Sequence, residues 1–132
     1  MGSFPIPLED EEQMVFVEWL DLVGLRYTSI PNSTFTKSWK QKVHNKRMGL
    51  HAGFPDLVVI IPPTRAKDGL GRFLAIEMKR RQGGVVSADQ KAWIAAINGL
   101  ETPHVQSVVC KGAQEAIDYV NGYLVPTRVS PF

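Results

Sequence analysis

The stretch GFPDLVVIIPPTRAKDGLGRFLAIEMK, residues 53–79, holds two apolar runs, LVVII (57–61) and RFLAIEMK (72–79), separated by a loop that contains Pro62, Pro63, Gly69 and Gly71. Short apolar runs bounded by Pro and Gly read as strands, so the stretch predicts a hairpin. With symmetric pairing about the loop, Ile61 faces Arg72 and Asp56 faces Glu77. Side chains directly opposed on a sheet stand about 5 Å apart at Cβ, and like charges there repel. On the second run Leu74, Ile76 and Met78 fill one face, while Phe73, Ala75 and Glu77 fill the other. Both faces are apolar, which marks a central strand, and a carboxylate at its end is costly without a partner. Two partners are available. Lys79 lies two residues beyond Glu77 on the same face, and a divalent cation takes carboxylates, waters and a backbone carbonyl as hard oxygen ligands. The plainer alternative has Asp56 capping a turn after Pro55 and Glu77 forming an ordinary ion pair with Lys79 or Arg80.

Working outward, Phe16, Trp19, Leu20 and Val23 recur at helical spacing, and Glu9 to Glu12 crowd the start of that segment, where a helix dipole favours acids. A helix is expected over 9–23, ended by Gly24. RYTSI (26–30) reads as a short strand stopped by Pro31-Asn32, and residues 37–48 as a basic helix closed by Gly49. Ser87 and Gln90 match the S-x-x-Q capping box of a helix that runs through Ile97 to Gly99. VQSVV (105–109) is a further strand, and residues 112–122 form a last helix with Ala113, Ala116, Ile117 and Val120 inward. The order is α-β-(α)-β-β-α-β-α, an α/β fold expected as one domain over 1–125 with a C-terminal tail over 126–132.

At 132 residues and 44% hydrophobic, the chain fits one domain of ordinary composition. Its longest apolar run closes at Pro62 and is too short to span a bilayer, and the first residues lack the pattern of a signal peptide. A soluble cytoplasmic protein is expected. The single Cys110 reads as a small buried hydrophobe, and His44, His51 and His104 form no compact zinc-ligand pattern. The net charge of +2 conceals segregation, because residues 22–55 hold six Lys/Arg and no acid. A local field of that kind suits a polyanion, although a solvated basic helix face explains the pattern equally well.

The ordered set Glu12-Gln13, Ile30-Pro31-Asn32, Lys46-Arg47-Met48-Gly49, Gly53-Phe54-Pro55-Asp56, Ile76-Glu77-Met78-Lys79, Gly83-Gly84, Ser87 and Gln90 resembles the virus-type replication-repair nuclease (VRR-NUC) family of the PD-(D/E)XK superfamily. The resemblance covers most of the chain and is closest to the stand-alone, single-domain type. It implies a restriction-endonuclease-like core, with a mixed β-sheet flanked by α-helices. It also implies a deoxyribonuclease that depends on Mg²⁺ or Mn²⁺ and resolves branched DNA such as four-way junctions, working as a homodimer in a bacterial or phage-infected cell. Asp56 and Glu77 match the metal-binding acids, with the Met78 carbonyl as a further ligand, and Lys79 matches the lysine that orients or activates the attacking water. Glu12 matches the acid of the first helix, and it is favoured over Glu9 and Glu11 because it shares the face of Phe16, Trp19 and Val23. Gln90 matches a helix glutamine over the site, with its capping role as the alternative. Ser87 reads as a cap. Lys37, Lys40, Lys42, Lys46, Arg47, Arg80 and Arg81 would hold DNA phosphates, and Trp39 would either stack on a base or pack inward. Phe4 to Leu8 and the last helix are candidate dimer contacts. The competing readings are a catalytically silent DNA-binding module and a regulatory protein-binding subunit.

Overall fold

In the computed structural model, which describes residues 5–31 and 38–126, Glu9–Val23 form the first helix, α1. Its apolar side buries Phe16 and Leu20 completely, each contributing about 1.5–3 kcal/mol by leaving water. Gly24 ends it in the left-handed region, and the chain turns into a short strand, β1 (Arg26–Ser29). The basic segment forms α2 (Trp39–Arg47), capped by Ser38, whose Oγ accepts from the Gln41 amide. Lys37 lies outside the described residues, and the helix is shorter than expected.

The hairpin strands are β2 (Leu57–Ile61) and β3 (Arg72–Lys79). They pair antiparallel with Ile61 opposite Arg72 and Leu57 opposite Ile76, the expected register. Their loop also holds a single 3-10 turn at Pro63–Arg65, where the sequence suggests only an irregular connection. Next come α3 (Ala88–Asn98), with its capping box from Ser87 and Gln90 in place, β4 (Val105–Lys111), and α4 (Ala113–Asn121). Strand β4 runs two residues past the expected end and lies parallel to β3. Among the described residues the sheet has the order β1-β2-β3-β4, so β3 is internal, as its two apolar faces required, and the parallel β3–β4 pair beside antiparallel ones makes the sheet mixed.

Helices α1 and α4 cover one face of the sheet, where Leu57, Val59, Ile61, Leu74, Ile76 and Met78 pack with Phe16, Leu20, Ala116 and Val120. Cys110 is buried in the same cluster. The second face carries Val58, Ile60, Phe73, Ala75 and Glu77. Helix α3 packs along β4, and the Asn98 side chain bonds both the amide and the carbonyl of Ser107, satisfying part of the strand's open edge. Ile60 and Phe73 stay partly exposed on that face, 36% and 39%. Helix α2 buries none of its residues. Trp39 is 77% exposed, so the inward-packed alternative for this side chain does not hold. No helix among the described residues is long and apolar enough to cross a membrane.

Candidate active site

Continuing the β2–β3 register by one step sets Asp56 opposite Glu77 on the sheet's second face. The pairing ends there because the Asp56 side chain takes over: its Oδ2 accepts the Met78 amide at 2.8 Å, while its carbonyl accepts the Ile30 amide at 2.7 Å. An extended residue directs its N–H and C=O to the same side of the strand, so the Met78 carbonyl faces toward Asp56 as well. Asp56 therefore closes the end of the strand pair and presents its carboxylate beside Glu77, its side chain bonding across to Met78 rather than to a turn after Pro55.

Glu77 is 1% exposed. Its Oε1 receives the Gln90 amide nitrogen at 3.0 Å and stands 3.7 Å from the Lys79 ammonium, while Oε2 is buried without a hydrogen-bond partner among the described residues. Gln90 reaches it while its own Oε1 accepts the Ser87 amide at 2.9 Å. The cap and the site contact are thus one arrangement: the cap fixes the amide orientation, leaving only the NH₂ to meet Glu77.

The third acid is Glu9. One oxygen from each of Glu9, Asp56 and Glu77 lies within 4.8 Å of the others. At that separation each pair of like charges costs about 3 kcal/mol in an effective dielectric of about 20. One lysine cannot offset three carboxylates. The carboxyl of Glu77 responds by holding its proton: burial, then the Asp56 carboxylate and, more weakly, Glu9 push its pKa up to about 8 against the opposing pull of Lys79. Burial also raises Glu9, opposed by Lys79. Three converging hard oxygens fit a divalent cation, which would replace the proton and remove the repulsion.

Glu12, expected in the site, does other work. It is buried, as its place on the apolar stripe required, but Oε2 accepts from Arg81 Nε at 3.0 Å and Oε1 accepts from the Ala113 amide at the start of α4. Its stripe faces the core side of the sheet, whereas the acids meet around the end of β3, which the first residue of α1 reaches. Sequence periodicity reports burial and carries no signal that would separate Glu9 from Glu12 on this point. Arg80 anchors the segment ahead of α1 through the Ile6 and Pro7 carbonyls, at 3.2 and 3.4 Å. Arg80 and Arg81 therefore also tie the helix start that brings Glu9 in. Phe4 lies outside the described residues, as do residues 127–132 of the tail.

Lys40, Lys42, Lys46 and Arg47 stand exposed on α2. A cleft of about 780 Å³ lies not over the acids but between α2 and α3. The two places adjoin, because Gly53, at φ 92°, runs so close to the start of α3 that a Cβ there would fall 2.7 Å from the Asp89 carbonyl carbon. Asp89 lines the cleft, and the next residue, Gln90, touches Glu77.

The raised carboxyl predicts a pH dependence. An unfolded glutamate titrates near 4.5, while folded Glu77 titrates at about 8. Between those values the folded protein holds a proton that the unfolded chain has released, so this stabilisation is complete at low pH and is lost as pH rises toward 8. In EDTA the melting temperature of the native protein should therefore fall, relative to a Glu77→Gln variant, between about pH 5 and about pH 8. Ligation needs the carboxylate, so added Mg²⁺ should raise the melting temperature more at the upper end. A native-minus-variant difference that stays flat across this window would show that Glu77 is not perturbed.

A solved structure described as a VRR_NUC domain protein superposes with a TM-score of 0.67 over 91% of this chain and 90% of that one, at 23% identity. The likeness extends to the whole mixed sheet with its flanking helices, the restriction-endonuclease-like core. Comparison with curated proteins gives no match. The model of the VRR-NUC domain matches residues 7–114, an interval that takes in Glu9, Asp56, Glu77, Lys79 and Gln90 together. With the fold and most of its length accounted for in this way, the chain belongs to the VRR-NUC domain family, a family of nuclease type.

Proposed function

We propose that this protein is a DNA endonuclease that hydrolyses phosphodiester bonds with Mg²⁺ or Mn²⁺, acting on branched DNA such as four-way junctions as a homodimer. The observation that carries the reading is the convergence of Glu9, Asp56 and Glu77 within 4.8 Å, with the Lys79 ammonium 3.7 Å from Glu77. Glu9, Asp56, Glu77 and the Met78 carbonyl would hold the cation. What a divalent cation supplies when bound there is a more acidic water and positive charge beside the phosphate.

The chain's own residues do the rest. Lys79 lies beside the acids, where its ammonium orients a water and offsets the charge that builds on the phosphate as the water oxygen bonds to phosphorus and one P–O bond to sugar breaks. Gln90 keeps Glu77 in place from the side. The exposed bases of α2, with Arg80 and Arg81, meet flanking phosphates and fix position without reading sequence. A two-fold pair of such small domains would set two sites on a symmetric junction.

The test is cleavage of labelled four-way junction, flap and linear duplex DNA in Mg²⁺, Mn²⁺ or EDTA. Cutting that needs the metal and yields paired symmetric nicks at the junction is the expected outcome. Binding of DNA without cutting under any metal condition would leave only a DNA-binding module.

A further inference from the structure

The cleft between α2 and α3 has no role in the hydrolysis described above, yet its lining residue Asp89 directly precedes Gln90, which touches Glu77. Its volume falls in the ~300–1,000 Å³ range of sites that take small organic groups. One wall is cationic: Lys42 and Lys46 project from a helix that contains no acid between Trp39 and Arg47. The opposite wall is α3, with Trp93, the small exposed Ala96 and, at the end toward the acids, Asp89. Trp93 is held in one orientation although it is only partly buried. Its indole N–H donates to the Ala52 carbonyl at 3.1 Å, and Phe54 packs edge-on at 5.1 Å between centroids. An aromatic ring fixed in this way is a stacking surface whose ordering cost is already met by the fold.

The chemistry of the two walls selects the occupant. Lysines on one side take phosphate, and Asp89 on the other repels phosphate but accepts hydrogen bonds from an exocyclic amino group of adenine or cytosine. A paired base shows only its edges, whereas a ring such as Trp93 needs a free base face, which single strands and branch points offer. We propose that this cleft binds one unpaired nucleotide of the strand whose phosphate meets Glu9, Asp56 and Glu77, with its base against Trp93 and its phosphate between Lys42 and Lys46. The inference rests on the nuclease reading and deepens it, making an unpaired base next to the cut the feature that marks the substrate. Helix α2, nine residues with none buried among the described residues, offers little packing to hold it against a strand in the cleft.

The experiment is anisotropy of labelled DNA in EDTA, where no cutting occurs, comparing a fork with a single-stranded arm against a blunt duplex of equal length. Trp93→Leu should weaken fork binding by about 5- to 150-fold, the span of one lost base–aromatic stack, and change duplex binding by less than about twofold. Ala96→Leu, an exposed position that fills the cleft without touching the core, should weaken the fork in the same direction at an unchanged melting temperature. Equal losses on fork and duplex, no loss in Ala96→Leu, or failure of the native protein to bind any DNA each overturn the proposal. Fork-selective binding that responds to both variants in a protein that cuts nothing with Mg²⁺ or Mn²⁺ supports the cleft and defeats the nuclease reading instead.

Discussion

Asp56→Asn and Glu77→Gln are each expected to reduce metal-dependent DNA cleavage by about 10³-fold or more, the rate equivalent of several kcal/mol of transition-state charge stabilisation. Neither change should unfold the protein. Asp56→Asn keeps a side-chain oxygen to accept the Met78 amide, and Glu77→Gln removes like-charge repulsion from a buried site, so the second variant should melt at or above the native temperature in EDTA. Lys79→Ala should cost about 10²–10³-fold, as for removal of one preorganised charge-stabilising donor. Falling activity with steady or rising stability is the mark of a site held against the preference of the fold. The first-helix acids separate the roles further: Glu9→Gln should diminish the melting-temperature rise caused by Mg²⁺, while Glu12→Gln should lower the melting temperature and leave that rise intact. Normal cutting by Asp56→Asn, or a metal response lost in Glu12→Gln and kept in Glu9→Gln, would refute this assignment of roles.

Gly112→Ala is expected to carry a large cost in stability. The residue joins β4 to α4 at φ 90° and ψ 162°, a region that essentially only glycine occupies, at about 1–3 kcal/mol for any other residue. A Cβ there would also fall 2.6 Å from Arg81 Cγ and 2.9 Å from Glu12 Oε2. Arg81 is on the surface and can swing away, but doing so strips the buried Glu12 carboxylate of its cation. Together these give a loss of about 2–4 kcal/mol, or roughly 10 °C in melting temperature for a chain of this size. Gly24→Ala is the control, because Gly24 also has a positive φ of 75° but nothing within 4 Å of a new Cβ. If calorimetry finds the two losses equal, the Glu12–Arg81–Gly112 contact is not the tight point it is taken to be.

The hairpin is legible because a strand's period of two and a Pro/Gly loop leave little freedom: once Ile61 faces Arg72, Asp56 can only face Glu77. Helix α1 is legible for a similar reason, since Phe16, Leu20 and the αL glycine at its end admit one phase and one stop. The capping box at Ser87 and Gln90 carries both of its roles in four residues, although nothing local reveals that they are simultaneous. The packed-inward alternative for Trp39 fails because it supposes a neighbour for α2, and the described chain supplies none that buries any residue of the helix. Trp93 gives no signal at all, because the space it lines is bounded by a helix about fifty positions away from it.

By itself, then, the sequence determined the helices and strands, the hairpin register and the placing of Asp56, Glu77 and Lys79 at one end of the hairpin, because these follow from periodicities of two and 3.6 and from turn chemistry that acts over a few residues. Only the tertiary structure decided that Glu9 rather than Glu12 completes the acid cluster, that Glu12 instead joins Arg81 to the start of α4, and that a cleft lies between α2 and α3. Periodicity tells which side of an element is buried. Which elements meet at a strand's end depends on how helices far apart in the chain cross the sheet, and that is set by the packing of the whole core.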